Sequence, residues 1–279
     1  MRVEEIWIYP VKSMIGETVA SAQLDRLGLV GDRRWAVRDL DRGGIRGAKK
    51  IGGLMRCAAR ANPSGTSATI TLPDGRTTTT DAADVDELIS AAIGANVHLD
   101  PLRGAEHTEH FRRGAPEHGD PLAEIRAVMG RDEDEPLPDF SIFPPEIMEY
   151  ESPPGAYYDA FPLMIMTTSS LRSLQAALPS SVVDIKRFRP SILVDSGDTP
   201  GYPEFSWAQG SLIGIGSAVV EVLAPCPRCV MPTREISASI PEDRSILRHI
   251  VRELNQNLGV YARVHTPGAI RSGDPLEFR

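Results

Sequence analysis

The stretch GSLIGIGSAVVEVLAPC, residues 210–226, limits the possible folds of this chain more than any other segment. Its apolar and β-branched residues flank a Gly-Ser turn, which is the pattern of a long β-hairpin. Shorter runs of the same strand-forming type occur at 3–11, 33–39 and 68–76. The sequence therefore predicts a protein built mainly from short β-strands.

Helical periodicity occurs in three segments. In residues 84–97 the apolar side chains share one face, with Asp84 expected to cap the helix and Gly94 to end it. A second predicted helix follows a strand and a polar turn within residues 161–179, and a third spans 241–259. Strands and helices do not alternate regularly, as a doubly wound sheet would require. The predicted fold class is α+β, mainly β: two lobes, with an antiparallel β-barrel-like domain, an N-terminal β-rich domain and a few helices.

Residues 103–160 differ from the rest of the chain. They are rich in Pro, Gly, His and acidic residues and show little periodicity. A long stretch of this kind is usually a functional lid or a mobile linker. We expect a bridge between the two lobes, with a short helix near 120–129. The expected domains are an N-terminal β-rich domain at 1–102, this bridge at 103–160 and a β-barrel domain at 161–279.

The composition is that of a soluble globular protein, with 41% hydrophobic and 24% charged residues. Apolar runs such as 161–166 are too short to cross a bilayer, and the N-terminus lacks the pattern of a signal peptide. Three cysteines in 279 residues argue against a secreted disulfide scaffold. We therefore expect a cytoplasmic protein with no membrane partner.

The formal net charge is −8, so nucleic-acid binding would need a strong basic patch, and no nucleic-acid partner is expected. Seven cations nevertheless lie in or beside apolar, strand-like stretches. Either these seven converge on one small anion, or they are unrelated surface groups. They are Lys12, Arg33, Arg34, Lys186, Arg187, Arg189 and Arg228.

Two of the three cysteines, Cys226 and Cys229, lie in APCPRCVMPT, residues 224–233. A structural zinc site needs four ligands, and the best candidates to complete the pair are the histidines of residues 107–118. A thioredoxin-like redox site needs a helix directly after the motif, but two prolines follow within twelve residues. The sequence favours neither of these sites.

A single reactive thiolate is the third interpretation of the motif. Arg228, between the cysteines, could lower a thiol pKa by its charge, and the prolines stiffen the loop. Such a thiolate acts as a nucleophile or as a soft ligand for a transition metal. In the fourth interpretation both cysteines are simply small buried residues of the core.

Five segments, in order along the chain, resemble the MOSC family, whose members are similar to the C-terminal domain of molybdenum cofactor sulfurase. The first two resemble the β-barrel domain that precedes MOSC in amidoxime-reducing members. The resemblance implies a pyranopterin molybdenum cofactor in a cleft between two lobes, with one protein thiolate on the metal. The segments are YPVKS (9–13), GLVGDRRWAVRD (28–39), RFRPSILVD (187–195), GSLIGIGSAVVEVLAPCPRCVMPT (210–233) and GVYARVHTPGAIRSGDPLEF (259–278).

The resemblance also implies the residues of the site. Cys229 matches the thiolate on molybdenum and is the expected catalytic and metal-binding residue, while Cys226 matches a neighbouring cysteine. The implied cofactor-binding residues are Lys12, Ser13, Arg33, Thr167, Thr168, Ser169, Arg189, Ser191 and Arg228.

This sequence departs from the family's pattern in three places. Ser191 stands where relatives often have Asn, and PTREI (232–236) stands where they often have TTVDP. The second change flanks the metal ligand and bears on the range of substrates. The chain is expected to end after the β-barrel domain, without the iron–sulfur domain of some bacterial relatives. Electrons are therefore expected from a separate protein of the ferredoxin or flavin reductase type.

The expected function is that of a molybdenum-cofactor-dependent oxidoreductase. It would reduce small N-hydroxylated compounds, such as amidoximes or hydroxylamines, with electrons from its partner. An alternative is a carrier of persulfide sulfur or of the molybdenum cofactor, without reductase turnover. A third hypothesis is a phosphate-ligand binding module with a structural C-x-x-C.

Overall fold

A computed structural model describes residues 1–63 and 65–279. The described part contains seventeen strands and five α-helices. The helices are α1 (Val85–Ile93), α2 (Thr108–Phe111), α3 (Pro121–Met129), α4 (Thr168–Ala177) and α5 (Arg244–Glu253). The strands are β1 (Arg2–Ile8), β2 (Glu17–Val19), β3 (Ser21–Asp25), β4 (Gly28–Leu29), β5 (Trp35–Asp39), β6 (Ile45–Arg46), β7 (Ala58–Ala61), β8 (Ala68–Thr71), β9 (Thr77–Thr79), β10 (Val97–Pro101), β11 (Leu163–Thr167), β12 (Ile192–Asp195), β13 (Leu212–Ile215), β14 (Ala218–Pro227), β15 (Asn257–Thr266), β16 (Gly268–Arg271) and β17 (Leu276–Phe278).

The main sheet has eight strands in the order β17-β13-β14-β15-β11-β12-β1-β2. The predicted hairpin forms β13 and β14, with Ile213 opposite Val220. Its turn needs glycine at Gly216, where φ is +56° and a Cβ would lie 2.5 Å from the carbonyl oxygen of Ala269. Neighbouring strands are antiparallel except β11 and β12, which are parallel and are joined through α4.

Strands from both ends of the chain share sheets. β1 lies between β12 and β2 in the main sheet, with Val3 opposite Val194. β3 pairs with β16 in a three-stranded sheet with β4. The other strands of the first hundred residues form two small sheets, β10-β5-β6 and β7-β8-β9. The predicted domain division stays a prediction, and the main sheet contains strands from both sides of it.

The predicted fold class is confirmed, because the protein is mainly sheet with antiparallel pairing and five α-helices in the described part. The described strands form no closed barrel. One apolar cluster packs on the main sheet and includes Ile6, Ile165 and Val222. A second fills the N-terminal half around Ile89 and also includes Met231. The loop after the cysteine motif is therefore anchored in the core of the other half of the chain.

Two predicted helices, α1 and α3, have identifiable ends. α1 ends at Gly94, whose φ of 68° is left-handed, as the sequence predicts. Asp84 occupies the N-cap position, as predicted, but its side chain makes no capping hydrogen bond. The helix expected near 120–129 is α3, and the carboxylate of Asp120 accepts hydrogen bonds from the first-turn amides.

Helix α5 ends earlier than the periodicity predicts. It stops at Glu253, because Asn255 and Gln256 take φ values of 46° and 70°. β15 then begins at Asn257, so the apolar residues beyond it belong to a strand. In the part of the chain that the structure describes, no helix is long and apolar enough to span a membrane.

The bridge, residues 103–160, packs against both halves of the molecule. Glu124 on α3 forms an ion pair with Lys50 of the N-terminal half. Asp132, just after α3, pairs with Arg248 on α5 at 2.7 Å. The bridge shows weak periodicity because short turns and ion pairs, rather than long amphipathic elements, hold it in place.

Candidate functional site

Most of the predicted site residues lie in one cleft with an empty volume of about 700 Å³. Its walls are the loop after β1, the loops before β5 and β12, the cysteine motif and the end of the bridge. Six predicted residues line the cleft: Lys12, Ser13, Arg33, Arg189, Arg228 and Cys229.

The backbone of this cleft is strained at three non-glycine residues. Ser13, Arg33 and Arg189 have φ values of 70°, 47° and 57°, three of the five positive values at non-glycine residues in the described part. Each such conformation costs about 1–3 kcal/mol and is typical of functional sites. The Ser13 hydroxyl accepts a hydrogen bond from the amide of Ala48 at 2.9 Å. A Cβ at Gly47 would lie 2.9 Å from that hydroxyl, so only glycine fits there.

Tyr9 positions the two strained arginines. Its ring lies 4.1 Å from the guanidinium of Arg189 and 5.5 Å from that of Arg33, within the range of cation–π contacts. The Tyr9 hydroxyl donates to the carbonyl oxygen of Pro190 at 2.9 Å, and the carboxylate of Asp32 pairs with Arg33. Burial lowers the pKa of Arg189 to about 10, so the group stays charged at neutral pH. Two cations are thus fixed at the cleft before any ligand binds.

A pair of lysines holds a carboxylate at the other side of the cleft. Lys12 donates to Ser152 Oγ at 3.0 Å, to the carbonyl oxygen of Tyr157 at 2.8 Å and to Asp159 at 2.5 Å. Lys49 lies 2.8 Å from the other oxygen of Asp159. Burial opposes ionisation of Asp159, but the charges of both lysines hold its pKa well below the usual range. The end of the bridge therefore places an internal anion between Lys12, which lines the cleft, and Lys49, which does not.

The two cysteines of the motif have different surroundings. Cys226 is 3% exposed and packs in the core, where burial raises its pKa. Arg228 donates to Cys226 Sγ at 3.2 Å and to the carbonyl oxygen of Phe188 at 2.8 Å. Cys229 is half-buried, lines the cleft and makes no hydrogen bond to any described residue. Cys226 also lines the cleft, but its thiol is buried and already accepts from Arg228, so Cys229 is the more accessible of the two thiols.

The geometry bears on the other interpretations of the motif. After Cys229 the chain forms a 3₁₀ turn, Met231–Thr233, which supplies no helix N-terminus of the thioredoxin type. In residues 1–63 and 65–279, no three His, Cys, Asp or Glu side chains are grouped to hold a metal ion. The core interpretation holds for Cys226 alone.

Arg187 lines the cleft, but its guanidinium group donates its hydrogen bonds to carbonyl oxygens of the protein itself. Its guanidinium donates to the carbonyl oxygens of Val182 and Pro241 at 2.8 and 2.6 Å and of Pro232 and Arg234 at 3.0 and 3.2 Å. It therefore fixes the loop that follows Cys229. Five of the seven scattered cations meet at the cleft, whereas Arg34 and Lys186 do not line it.

The structure does not bring the remaining predicted residues to the cleft. Thr167 caps α4 and donates to Glu204 at 2.7 Å. Thr168 and Ser169 hold the backbone and hydroxyl of Ser196. Ser191 is buried and accepts from the amide of Met164 at 3.3 Å. A cofactor role for these four residues stays a prediction without a contact to support it.

The carboxyl group of Glu204 gives a pH-dependent test of this polar cluster. Burial raises its pKa, while hydroxyls of Thr167 and Ser170 donate to it. The folded state then binds the proton more tightly than the unfolded chain, so its contribution to stability falls as pH rises above the ordinary glutamate value. The free energy of unfolding of wild type, relative to Glu204→Gln, should fall between pH 5 and pH 8 in urea titrations. A difference that is constant or rises with pH would contradict this.

Sequence reasoning missed Tyr9, Lys49 and Asp159. Tyr9 belongs to the YPVKS segment but carries no charge that marks it as an anion ligand. Asp159 lies in the bridge, where no periodicity indicates which face is buried. Its position at the junction with β11, next to the apolar run 161–166, was the only available signal.

Comparison with known proteins gives matches over most of the chain. Residues 1–111 match the MOSC N-terminal beta barrel domain, and residues 153–277 match the MOSC domain. The human proteins called mitochondrial amidoxime reducing component 2 and mitochondrial amidoxime-reducing component 1 are each 25% identical to it. Each alignment covers 98% of this chain and 82% of the relative. The relatives are named as mitochondrial, so the cytoplasmic location stays an expectation.

Among solved structures, the YuaD protein of Bacillus subtilis is similar over 99% of this chain and 94% of its own. The sequence identity is 14% and the TM-score is 0.47. This likeness is too distant to support an assignment.

Proposed function

The chain belongs to the MOSC family, and from that premise we propose that it is a molybdenum-cofactor-dependent oxidoreductase. The human relatives are named for amidoxime reduction. The proposed substrates of this chain are small N-hydroxylated compounds such as amidoximes and hydroxylamines. A separate electron-transfer protein would supply two electrons for each turnover.

The observation that carries this proposal is the half-buried thiol of Cys229 in a cleft lined by cations. A thiolate is a soft ligand that suits a transition metal. Guanidinium groups such as those of Arg33 and Arg189 match phosphate and other anionic oxygens in two-point contacts. The Nε atom of Arg228 is buried without a partner among the described residues, which is an unused donor beside the thiol. This donor set fits an anionic, metal-bearing cofactor.

The residues of the cleft would share the work of holding that cofactor. Lys12, Ser13, Arg33 and Arg189 would bind its phosphate and pterin, and Cys229 would bind the metal. When bound, the cofactor supplies the two-electron chemistry, and the protein supplies orientation and electrostatics. Because Tyr9 fixes both arginines in the folded protein, little reorganisation is needed when an anion enters.

Metal and pterin analysis tests the proposal directly. Protein purified from a host that makes the cofactor should contain about one molybdenum and one pterin per chain. If neither is present and the cofactor cannot be loaded afterwards, the proposal fails. A stable mass increase of roughly 32 Da on Cys229 in inactive protein would instead support a persulfide carrier. Tight zinc without molybdenum would support a phosphate-binding module.

The carboxylate of Asp159 should oppose cofactor binding, because it occupies Lys12 and Lys49. Asp159→Asn should retain isolated molybdopterin about three- to tenfold more tightly, as expected for removal of one like charge at a partly exposed position. Pterin fluorescence after desalting measures the retained fraction without an activity assay. The matched control is Asp134→Asn, an exposed change in the same bridge. Weaker retention by Asp159→Asn would show that the carboxylate helps to hold the cofactor.

A further inference from the structure

A second pocket lies behind the cysteine loop and shares no lining residue with the cleft. Its empty volume is about 680 Å³, and its walls are α3, the loop after Cys229 and the first turns of α5. We call it the arginine pocket, because its charged lining residues are Arg126, Arg131, Arg234, Arg244, Arg248 and a single acid, Glu242.

The positive charge of the arginine pocket is only partly compensated. Besides Glu242, two carboxylates reach its arginines: Asp132 lies 2.7 Å from Arg248 and 3.1 Å from Arg244, and Glu135 also pairs with Arg248. Three carboxylates thus face five guanidinium groups. Burial, together with the charge of Arg248, lowers the pKa of Arg131 to about 10. The pocket therefore has an excess of about two positive charges.

The arginines differ in how many donors they have left. Arg126 donates to the carbonyl oxygens of Asp132 and Glu135, and Arg131 donates to Gln256 and two carbonyl oxygens. All three nitrogens of the Arg131 guanidinium are therefore committed to the protein. Arg126 uses only Nη1 for its two bonds, so it keeps some donors, as do the remaining arginines of the pocket.

Arg234 and Arg244 have the most unused donors. Arg234 makes one hydrogen bond, to the carbonyl oxygen of Lys49 at 2.9 Å, and its Nε is buried without a partner among the described residues. Arg244 makes one, to Asp132, and its side chain is 67% exposed. Arg244 is also the first residue of α5, whose N-terminus is already capped by the carboxylate of Asp243, so the exposed guanidinium rather than the helix dipole would meet an anion there.

We propose that the arginine pocket binds the phosphate group of a small molecule, with Arg234 and Arg244 as its principal contacts. A phosphate monoester carries about −1.5 to −2 at pH 7, which matches the excess charge, and guanidinium groups bind it through paired hydrogen bonds. This site is independent of the reductase proposal, since it contains neither Cys229 nor any cofactor-binding residue.

The proposed site also gives a role to one residue of the altered PTREI sequence, Arg234. It occupies the position where relatives often have an apolar Val, within the loop that Arg187 fixes. Val230, which directly follows Cys229, donates its amide to the carbonyl oxygen of Val128 on the bridge at 3.2 Å. A ligand in the arginine pocket would therefore contact the bridge and the cysteine loop together.

Phosphate titration of the purified full chain, followed by the NMR signals of the arginine Nε–H groups, tests this site. We expect saturable shifts at Arg234 and Arg244, and binding weakened by at least about tenfold in Arg234→Gln/Arg244→Gln. Arg271→Gln, at an exposed arginine elsewhere, should bind as wild type. Arg33→Gln/Arg189→Gln, which disables the cleft, should leave these shifts unchanged.

Two outcomes would overturn the proposal. One is the absence of shifts at Arg234 and Arg244 up to tens of millimolar phosphate, a range in which even weak sites saturate. The other is an equal response to acetate or chloride at matched ionic strength, which would indicate general screening. If the double variant does not fold, Arg244→Gln alone serves, because its exposed side chain carries little of the structure.

Discussion

Replacing Cys229 by alanine should lower N-reductive turnover with an artificial reductant by more than about a hundredfold, beyond the ten- to hundredfold typical for groups that only support a metal ligand. The physical reason is that, of the two motif cysteines that line the cleft, Cys229 is the more exposed, whereas Cys226 is buried and accepts a hydrogen bond from Arg228. Its loss removes the proposed thiolate ligand and leaves the cations in place. Retention of pterin without molybdenum, measured on the same preparation, would separate loss of the ligand from loss of the fold.

The matched control for this change is Cys226→Ala. Cys226 accepts the hydrogen bond from Arg228, so its removal leaves a buried guanidinium short of a partner. The expected cost is about 1–3 kcal/mol in the free energy of unfolding, with turnover kept within about tenfold. The opposite pattern, with activity lost in Cys226→Ala and kept in Cys229→Ala, would overturn the assignment of the ligand.

Replacing Arg187 by alanine should lower the free energy of unfolding by about 3–5 kcal/mol, because each buried carbonyl oxygen left without its donor costs about 1–3 kcal/mol. Four carbonyl oxygens lose their donor, and three of them belong to the loop between Pro232 and Pro241. Urea unfolding at pH 7 measures the effect. Lys186→Ala is the control, since the Lys186 side chain makes no hydrogen bond in the described part, and its change should stay within about 0.5 kcal/mol. A similar loss of unfolding free energy in both variants would mean that the hydrogen bonds of Arg187 make no specific contribution to stability.

The strand and helix pattern could be predicted where the periodicity is local. The hairpin at 210–226 and the helix that ends at Gly94 follow from turn residues and from side chains on one face. The end of α5 could not be predicted, because the left-handed backbone that ends it occurs at Asn255 and Gln256. Neither residue is a glycine or a proline, which would have marked a helix end in the sequence. The apolar pattern continues into β15 and hides the break.

The candidate site could be predicted from the sequence only where charged residues within apolar segments indicate it. Cations flanked by apolar residues tend to be buried, and the cleft gathers five of them. The sequence could not distinguish Arg187, whose donors bind carbonyl oxygens, from Arg189, which lies on Tyr9. Nor could the sequence show that the hydroxyl of Thr167 donates to Glu204 rather than to a ligand, since a hydroxyl group can make either hydrogen bond.

The place of β1 in the main sheet has a consequence for biosynthesis. The pairing of Val3 with Val194 joins positions about 190 residues apart, so β1 is synthesised long before its neighbour β12 exists. Pairings of such high sequence separation form slowly and expose unpaired edges meanwhile. Because the loop that carries Lys12 follows β1 directly, this wall of the cleft has no partner wall until the loop before β12 has been made. The binding site can therefore assemble only after β12 has been synthesised.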